Sequence, residues 1–181
     1  MQYNSLGVAG FAVVAPHLSR FRSLTGLDLS CNKLDLQLMN SDNVADLLGN
    51  TLAELPVLSR LDLSNNDLES RLGCLLRKMP SALSHLELSA CGLSENDLAF
   101  LTNSHHANHI KVLDISENNL GSQFQHFLAL LRALKTLVVL ETENCSLQQC
   151  QLTSFSKAHQ RNLGRYDIGT SPEIEHPRPL T

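Results

Sequence analysis

Apolar and polar positions alternate along this chain in one recurring phrase, Leu-x-x-Leu-x-Leu-x-x-(Asn/Cys)-x-Leu. Complete copies run Leu24–Leu34, Leu58–Leu68, Leu83–Leu93 and, with isoleucine at two apolar positions, Ile110–Leu120. A weaker copy reads Leu137, Leu140, Thr142, Cys145, Leu147, and a degenerate sixth reads Leu163, Tyr166, Ile168, Ser171. Asn4-Ser5-Leu6 matches the end of a repeat whose beginning is missing. The two leucines separated by one residue have the period of a β-strand and point to the same side, with the residue between them facing out. Repetition of the phrase predicts a leucine-rich-repeat solenoid, an α/β horseshoe with parallel strands on its concave face and helices on its convex face.

After each phrase the apolar period becomes helical. Leu47, Leu48, Leu52 and Leu55 mark the first return segment, Leu72, Leu75, Leu76 and Met79 the second, Phe124, Phe127, Leu128 and Leu131 the fourth. Ser94 with Asp97 three residues on has the spacing of a capping box and should start the third helix toward Leu98 and Leu101. Pro56 and Pro80 fall where a helix must stop before the next phrase. The apolar run Leu6–Pro16 has the length of a signal-peptide core. It has no preceding Lys or Arg and no small-residue cleavage site, and it reads as a repeat helix.

Equivalent Asn/Cys positions lie 28 residues apart from Asn4 to Asn32, then 34 to Asn66, 25 to Cys91, 27 to Asn118 and 27 to Cys145. The long step places extra residues at Asp35–Asn43, whose Gln, Asn and Ser content predicts a protruding loop, either a binding loop or a tolerated insertion. A repeat domain is expected over residues 1–168, with a partial first repeat, about five recognisable repeats and a degenerate last one. Residues 169–181, with three prolines and no apolar period, are expected to be a disordered tail.

Composition narrows the classes. Hydrophobic residues make up 43% of the chain and aromatics 4% with no Trp, so leucine must fill the core. A net charge of −4 and singly scattered Lys and Arg argue against nucleic acid as a partner, which requires clustered cations. No apolar run reaches the ~20 residues of a membrane-spanning helix. Cys31, Cys74, Cys91, Cys145 and Cys150 form no C-x-x-C pair and do not cluster at the ends, which suits a reduced, cytoplasmic setting. Asn32, Asn66, Cys91, Asn118 and Cys145 are expected to form a buried structural ladder, bonding the backbone where each strand ends.

The outward residue of each strand is acidic: Asp28, Asp62, Glu87, Asp114, Glu141, and Asp167 in the sixth copy. Beside this column run Gly26, Arg60, His85, Val112 and Val139, and then Ser30, Ser64, Ser89 and Ser116. Asp28, Arg60, Asp62, His85, Glu87, Asp114 and Glu141 are the candidate partner-binding residues, with Arg60 and His85 placed to neutralise part of the stripe. Two readings stand: a stripe that draws a basic protein partner, or the ordinary consensus of the repeat, its Asp held by local donors. His105, His106 and His109 have metal-like proximity but no carboxylate or Cys at zinc-like spacing, and a solvated loop is the stronger reading. No G-x-S-x-G, Gly-rich phosphate loop or paired-carboxylate cleft is present, so neither an enzyme, nor a cofactor, nor a bound metal is expected.

The run Cys91-Gly-Leu-Ser-Glu-Asn-Asp-Leu-Ala-Phe-Leu101, with Ser104-His-His-Ala and Val112-Leu-Asp-Ile-Ser-Glu-Asn-Asn-Leu-Gly121, resembles the intracellular family that groups PRAME with leucine-rich-repeat-containing protein 14. The resemblance covers roughly Phe21–Leu152 and implies a ribonuclease-inhibitor-like horseshoe with adaptor roles. These are substrate recognition for cullin-2/elongin ubiquitin ligases, or restraint of NF-κB signalling by binding an IκB kinase subunit. Family members carry a longer N-terminal region with the elongin-binding box. The expected function is therefore a non-catalytic, cytoplasmic protein-interaction module. The alternatives are a ligase adaptor and a fragment without independent role, able to self-associate through uncapped ends.

Overall fold

The computed structural model describes residues 1–36, 42–68, 70–148 and 151. Five three-residue strands, β1 (Gly26–Asp28), β2 (Arg60–Asp62), β3 (His85–Glu87), β4 (Val112–Asp114) and β5 (Val139–Glu141), pair in chain order, every neighbour parallel. The central leucines stay in one row, Leu27 against Leu61, Leu86, Leu113 and Leu140. Helices α1 (Gly7–Leu18), α2 (Asp42–Ala53), α3 (Leu72–Leu76), α4 (Glu95–Asn103) and α5 (Phe124–Ala133) alternate with the strands, and each packs on the next.

The phrase explains the core. In each repeat the two residues flanking the outward one are buried, leucines throughout except Ile115 and Thr142, as are the leucines and Ile110 that open and close the complete phrases from Leu58 onward. Facing them are Phe11, Ala15 and Leu18 of α1, Leu48 and Leu52 of α2, Leu72, Leu75 and Leu76 of α3, Leu98 and Leu101 of α4, and Phe127, Leu130 and Leu131 of α5. One apolar layer thus lies between the sheet and the helices, and no element among the described residues packs on the opposite side of the sheet. The capping box forms as its spacing demands: Ser94 Oγ accepts from the Asp97 amide at 3.3 Å, and Asp97 Oδ2 accepts from the Ser94 amide at 3.0 Å. The shortest step, Asn66 to Cys91, leaves room for only the five-residue α3.

Every strand leaves through the same turn. The residue before each ladder position, Tyr3, Cys31, Asn65, Ala90, Glu117 and Asn144, is left-handed, with φ between 51° and 58°. For residues with a Cβ this costs about 1–2 kcal/mol each. A backbone rung past the strand offsets it: Tyr3, Cys31, Asn65, Ala90 and Glu117 donate their amides to the carbonyls of Ser30, Ser64, Ser89, Ser116 and Glu143 at 2.7–3.1 Å. The turn at Tyr3–Ser5 repeats this form. Asn4 Nδ2 donates to the carbonyls of Met1 and Gln2, as Asn32 Nδ2 does to Leu29 and Ser30.

Two expectations require correction. The histidine segment is not a solvated loop: His105–Asn108 form a 3₁₀ turn, and His106 is fully buried while His105 and His109 stay exposed. Ser30, Ser64 and Ser116 do not lie open beside the acids; they are 5–7% exposed, drawn inward by the turn. Of the inserted segment, residues 37–41 lie outside the described residues, as do Cys150, Leu152, the sixth repeat with Asp167, and the tail from residue 169. Leu36 is already buried, and α2 begins at Asp42.

Candidate functional site

The open side of the sheet carries the acidic column. Strand register places Asp28 against Asp62, Asp62 against Glu87, Glu87 against Asp114, and Asp114 against Glu141. With parallel strands ~4.8 Å apart, the carboxylates stand in one row. Arg60, His85, Val112 and Val139 form the adjacent row, two residues earlier on the same face.

The members of the column differ in what they do. Asp28 Oδ1 accepts from the Ser30 amide (3.0 Å) and hydroxyl (2.7 Å), Asp62 Oδ1 from the Ser64 amide (2.8 Å), and Asp114 Oδ1 from the Ser116 amide (2.8 Å). Each aspartate is half-buried and staples the start of its own turn. Leu-Asp-Leu-Ser is therefore a structural phrase as well as a charged one. Glu87 and Glu141 are exposed. The partial desolvation of Glu87 on the sheet face, followed by the neighbouring Asp62, Asp114, Glu141 and Asp28, raises its carboxyl above its ordinary 4.5. The column is a set of like charges that repel.

Among the described residues, no ion pair joins Arg60 or His85 to the acids beside them. Arg60 turns its guanidinium toward the β1 neighbour, where a Cβ on Gly26 would meet Nε at 3.7 Å. His85 Nδ1 lies 2.9 Å from Ser84 Oγ. Among the described residues, the ion pairs lie on the helix side: Arg22 with Glu54 at 3.1 Å and Lys78 with Asp46 at 2.6 Å.

Behind the face, the ladder holds the rows in register. Asn66 Oδ1 accepts from the amides of Asn32 (3.2 Å) and Leu34 (3.0 Å), and its Nδ2 donates to the carbonyls of Leu29, Leu63 and Ser64. Asn118 repeats this with the amides of Cys91 and Leu93 and the carbonyls of Leu88, Ile115 and Ser116. Asn32 Nδ2 reaches the Met1, Leu29 and Ser30 carbonyls, whereas its buried Oδ1 has no partner. At the two cysteine rungs the thiol donates backward, Cys91 to the Leu63 carbonyl and Cys145 to that of Ile115, each at 3.3 Å. Burial pushes the Cys91 thiol up to about 12 and the Cys145 thiol up to about 11, so both stay protonated.

Two buried polar residues escaped the sequence reading. Asp97, besides capping α4, accepts from the amides of Ser70 (2.7 Å) and Leu72 (3.0 Å) in the preceding repeat. The capping-box spacing signalled only its local half. His106 Nε2 lies 3.1 Å from the Leu76 carbonyl and caps the end of α3, while its buried Nδ1 has no partner. Burial, then neighbouring His105, pushes His106 down to about 4, so the ring is neutral and Nε2 carries the proton. Among the described residues, no group of three or more His, Cys, Asp or Glu could hold a metal ion, and no helix is long and apolar enough to cross a membrane.

Strand, left-handed turn, ladder residue and return helix, repeated in register, define a leucine-rich-repeat protein. The chain belongs to the PRAME C-terminal domain family, which matches residues 5–163. Leucine-rich repeat-containing protein 14 of Bos taurus and that of Homo sapiens are each 38% identical over 157 residues, 84% of this chain and 32% of theirs. The Mus musculus protein of that name is 36% identical over 92% of this chain and 36% of its own length. The chain thus spans about a third of the length of these relatives. Two solved structures share the fold at low identity. Leiomodin-1 actin-binding site 2 has a TM-score of 0.58 at 11% identity, covering 82% of this chain and 86% of that one. The tropomodulin C-terminal domain of Caenorhabditis elegans has 0.57 at 14%, covering 83% and 92%.

Proposed function

We propose that this chain is a non-catalytic protein-interaction module, its repeats forming an arc of a horseshoe whose concave side is the open sheet face. That face takes a protein partner with a basic surface. The carrying observation is the row Asp28, Asp62, Glu87, Asp114 and Glu141, in which burial and then the neighbouring acids raise Glu87. A cationic partner relieves that repulsion, and the field of the row speeds its approach. Membership of a leucine-rich-repeat family supports the reading, as does the description of the leiomodin-1 neighbour as an actin-binding site.

Resemblance to leucine-rich repeat-containing protein 14 refines the proposal to a cytoplasmic regulator of NF-κB signalling that binds an IκB kinase subunit. The alternative, a substrate adaptor of a cullin-2/elongin ligase, rests on the same resemblance. Affinity capture from cytosol tests both, with the wild type compared with a Glu87→Lys/Glu141→Lys variant. The expected result is a kinase subunit retained by the wild type and lost from the variant. Retention of elongin B/C instead supports the alternative, and identical retention by both chains contradicts the face assignment.

A further inference from the structure

The helix side of the molecule carries a cleft between α3 and α4. Along α3 and its end, Gly73, Leu76 and Arg77 stand at the i, i+3 and i+4 positions that share a helix face, and Phe100, Asn103 and Ser104 repeat that spacing along α4. These two faces, with His105, line a cleft of about 300 Å³. Its volume lies at the lower end of the range of ligand-binding pockets.

The walls of the cleft are fixed from behind. Gly73 carries no side chain, and a Cβ there would stand 2.5 Å from the Phe100 ring, so the ring lies directly on the α3 backbone. Phe100 nevertheless stays 47% exposed. Arg77 Nε donates to the Gly73 carbonyl at 3.2 Å, which holds the guanidinium 6.0 Å from the centre of that ring. The ring centre of His105 lies 3.8 Å from that of the buried His106, which is itself tied to the Leu76 carbonyl.

The charges around the cleft have one sign. The described residues that line it include no carboxylate, and among the described residues Arg77 makes no ion pair. The segments that lead into the strands, 19–25, 54–59, 77–84, 104–111 and 134–138, carry Arg20, Arg22, Arg77, Lys78, Lys111 and Lys135. Against these they hold a single acid, Glu54, which Arg22 pairs at 3.1 Å, and Lys78 is taken up by Asp46 of α2. Cations scattered along the sequence are thus gathered on one rim by the fold. The negative ends of the helix dipoles favour them there, which accounts for Arg77 at the end of α3. It does not account for an exposed phenyl ring beside a held guanidinium, and aromatic and arginine side chains are the ones that dominate binding hot spots.

We propose that this cleft is a second interaction site, separate from the sheet face, for an acidic protein segment. An aromatic or aliphatic side chain of the segment lies on Phe100, and the carboxylate of a neighbouring Asp or Glu pairs with Arg77. An apolar ligand alone would leave the guanidinium unpaired, and an anion alone would leave the ring in water.

The probe is a capped peptide, Asp-Glu-Leu-Phe-Asp-Glu, titrated into the isotope-labelled full chain and followed by amide chemical shifts. One control peptide replaces Leu-Phe by Ser-Gly, and another replaces every acid by Lys. Shifts should centre on Gly73, Arg77, Phe100 and Asn103, with the Ser-Gly peptide binding at least about fivefold more weakly and the Lys peptide not at all. Arg77→Gln and Phe100→Ala should each weaken binding at least about fivefold with the circular dichroism spectrum unchanged. Lys135→Gln, which removes a charge from the same rim two strands away, and Glu87→Lys on the sheet face should leave binding intact. Shifts centred elsewhere, equal binding of the Ser-Gly peptide, binding that ignores both cleft variants, or no binding overturns the site and leaves the sheet-face reading standing. An oligothymidine that binds the same residues as tightly as the peptide overturns the assignment to a protein segment.

Discussion

Asn66 makes five hydrogen bonds that tie two successive turns together, all within the buried interior. Asn66→Leu would leave the amides of Asn32 and Leu34 without a partner and take one of two donors from the carbonyls of Leu29, Leu63 and Ser64. At about 1–3 kcal/mol for each buried group left unsatisfied, a loss of at least ~2 kcal/mol is expected in urea unfolding. Asn66→Cys should cost less, since Cys91 and Cys145 show that a thiol can serve a rung by donating backward. His106 gives a pH signature. Its pKa is pushed from 6.5 to about 4 by burial, so the fold favours the neutral ring. That contribution is fully present above pH 6.5 and is lost as pH falls from 6.5 toward 4. The urea midpoint should therefore drop over that window, and His106→Gln should flatten the drop. Glu87 has the opposite sign. Its folded pKa is raised, so ionising it opposes folding, and Glu87→Gln should raise the melting temperature slightly at neutral pH.

Successive repeats pack most tightly at two glycines, one in a helix and one in a turn. A Cβ at Gly73 in α3 would stand 2.5 Å from the Phe100 ring of α4, and one at Gly121 would stand 2.0 Å from the Ser146 carbonyl oxygen of the next repeat. Gly73→Ala should destabilise by about 1–3 kcal/mol despite alanine's better helix propensity, and Phe100→Ala should recover most of the loss. Gly121→Ala should be worse, because its obstacle is backbone that cannot swing away. Thermal melts of Gly73→Ala, Gly73→Ala/Phe100→Ala and Gly121→Ala check the order. Strands and helices at this scale were legible in the sequence, because Leu27, Leu61, Leu86, Leu113 and Leu140 are spaced by the phrase and their burial follows from periodicity alone. The Ser94/Asp97 cap was legible for the same local reason. The left-handed turn at Tyr3, Cys31, Asn65, Ala90, Glu117 and Asn144 was not, since none of these is glycine and the conformation is held by a rung to the neighbouring repeat. His106 and the second half of Asp97's role were hidden likewise: their partners, Leu76 and Leu72, lie on the preceding repeat and no local spacing encodes them.

Across the whole molecule, the repeats divide the labour of charge. The acidic row occupies one face of the sheet, and the surface ion pairs Arg22–Glu54 and Lys78–Asp46 lie on the other side, where they contribute little. The sequence showed the row and left open whether it was consensus or binding surface. The structure shows why both descriptions apply to different members: Asp28, Asp62 and Asp114 hold turns, whereas Glu87 staples none. Charge reversal at an aspartate therefore disturbs folding and binding together, and Glu87 separates the two. The most direct test of the strand-face reading is carbodiimide footprinting by mass spectrometry, comparing the chain alone with the chain saturated by its captured protein partner. Labelling of Glu87 and Glu141 should fall several-fold in the complex, while Glu54 and Glu95 on the helix side label as before. Protection of Glu54 and Glu95 with Glu87 and Glu141 unchanged would contradict the account.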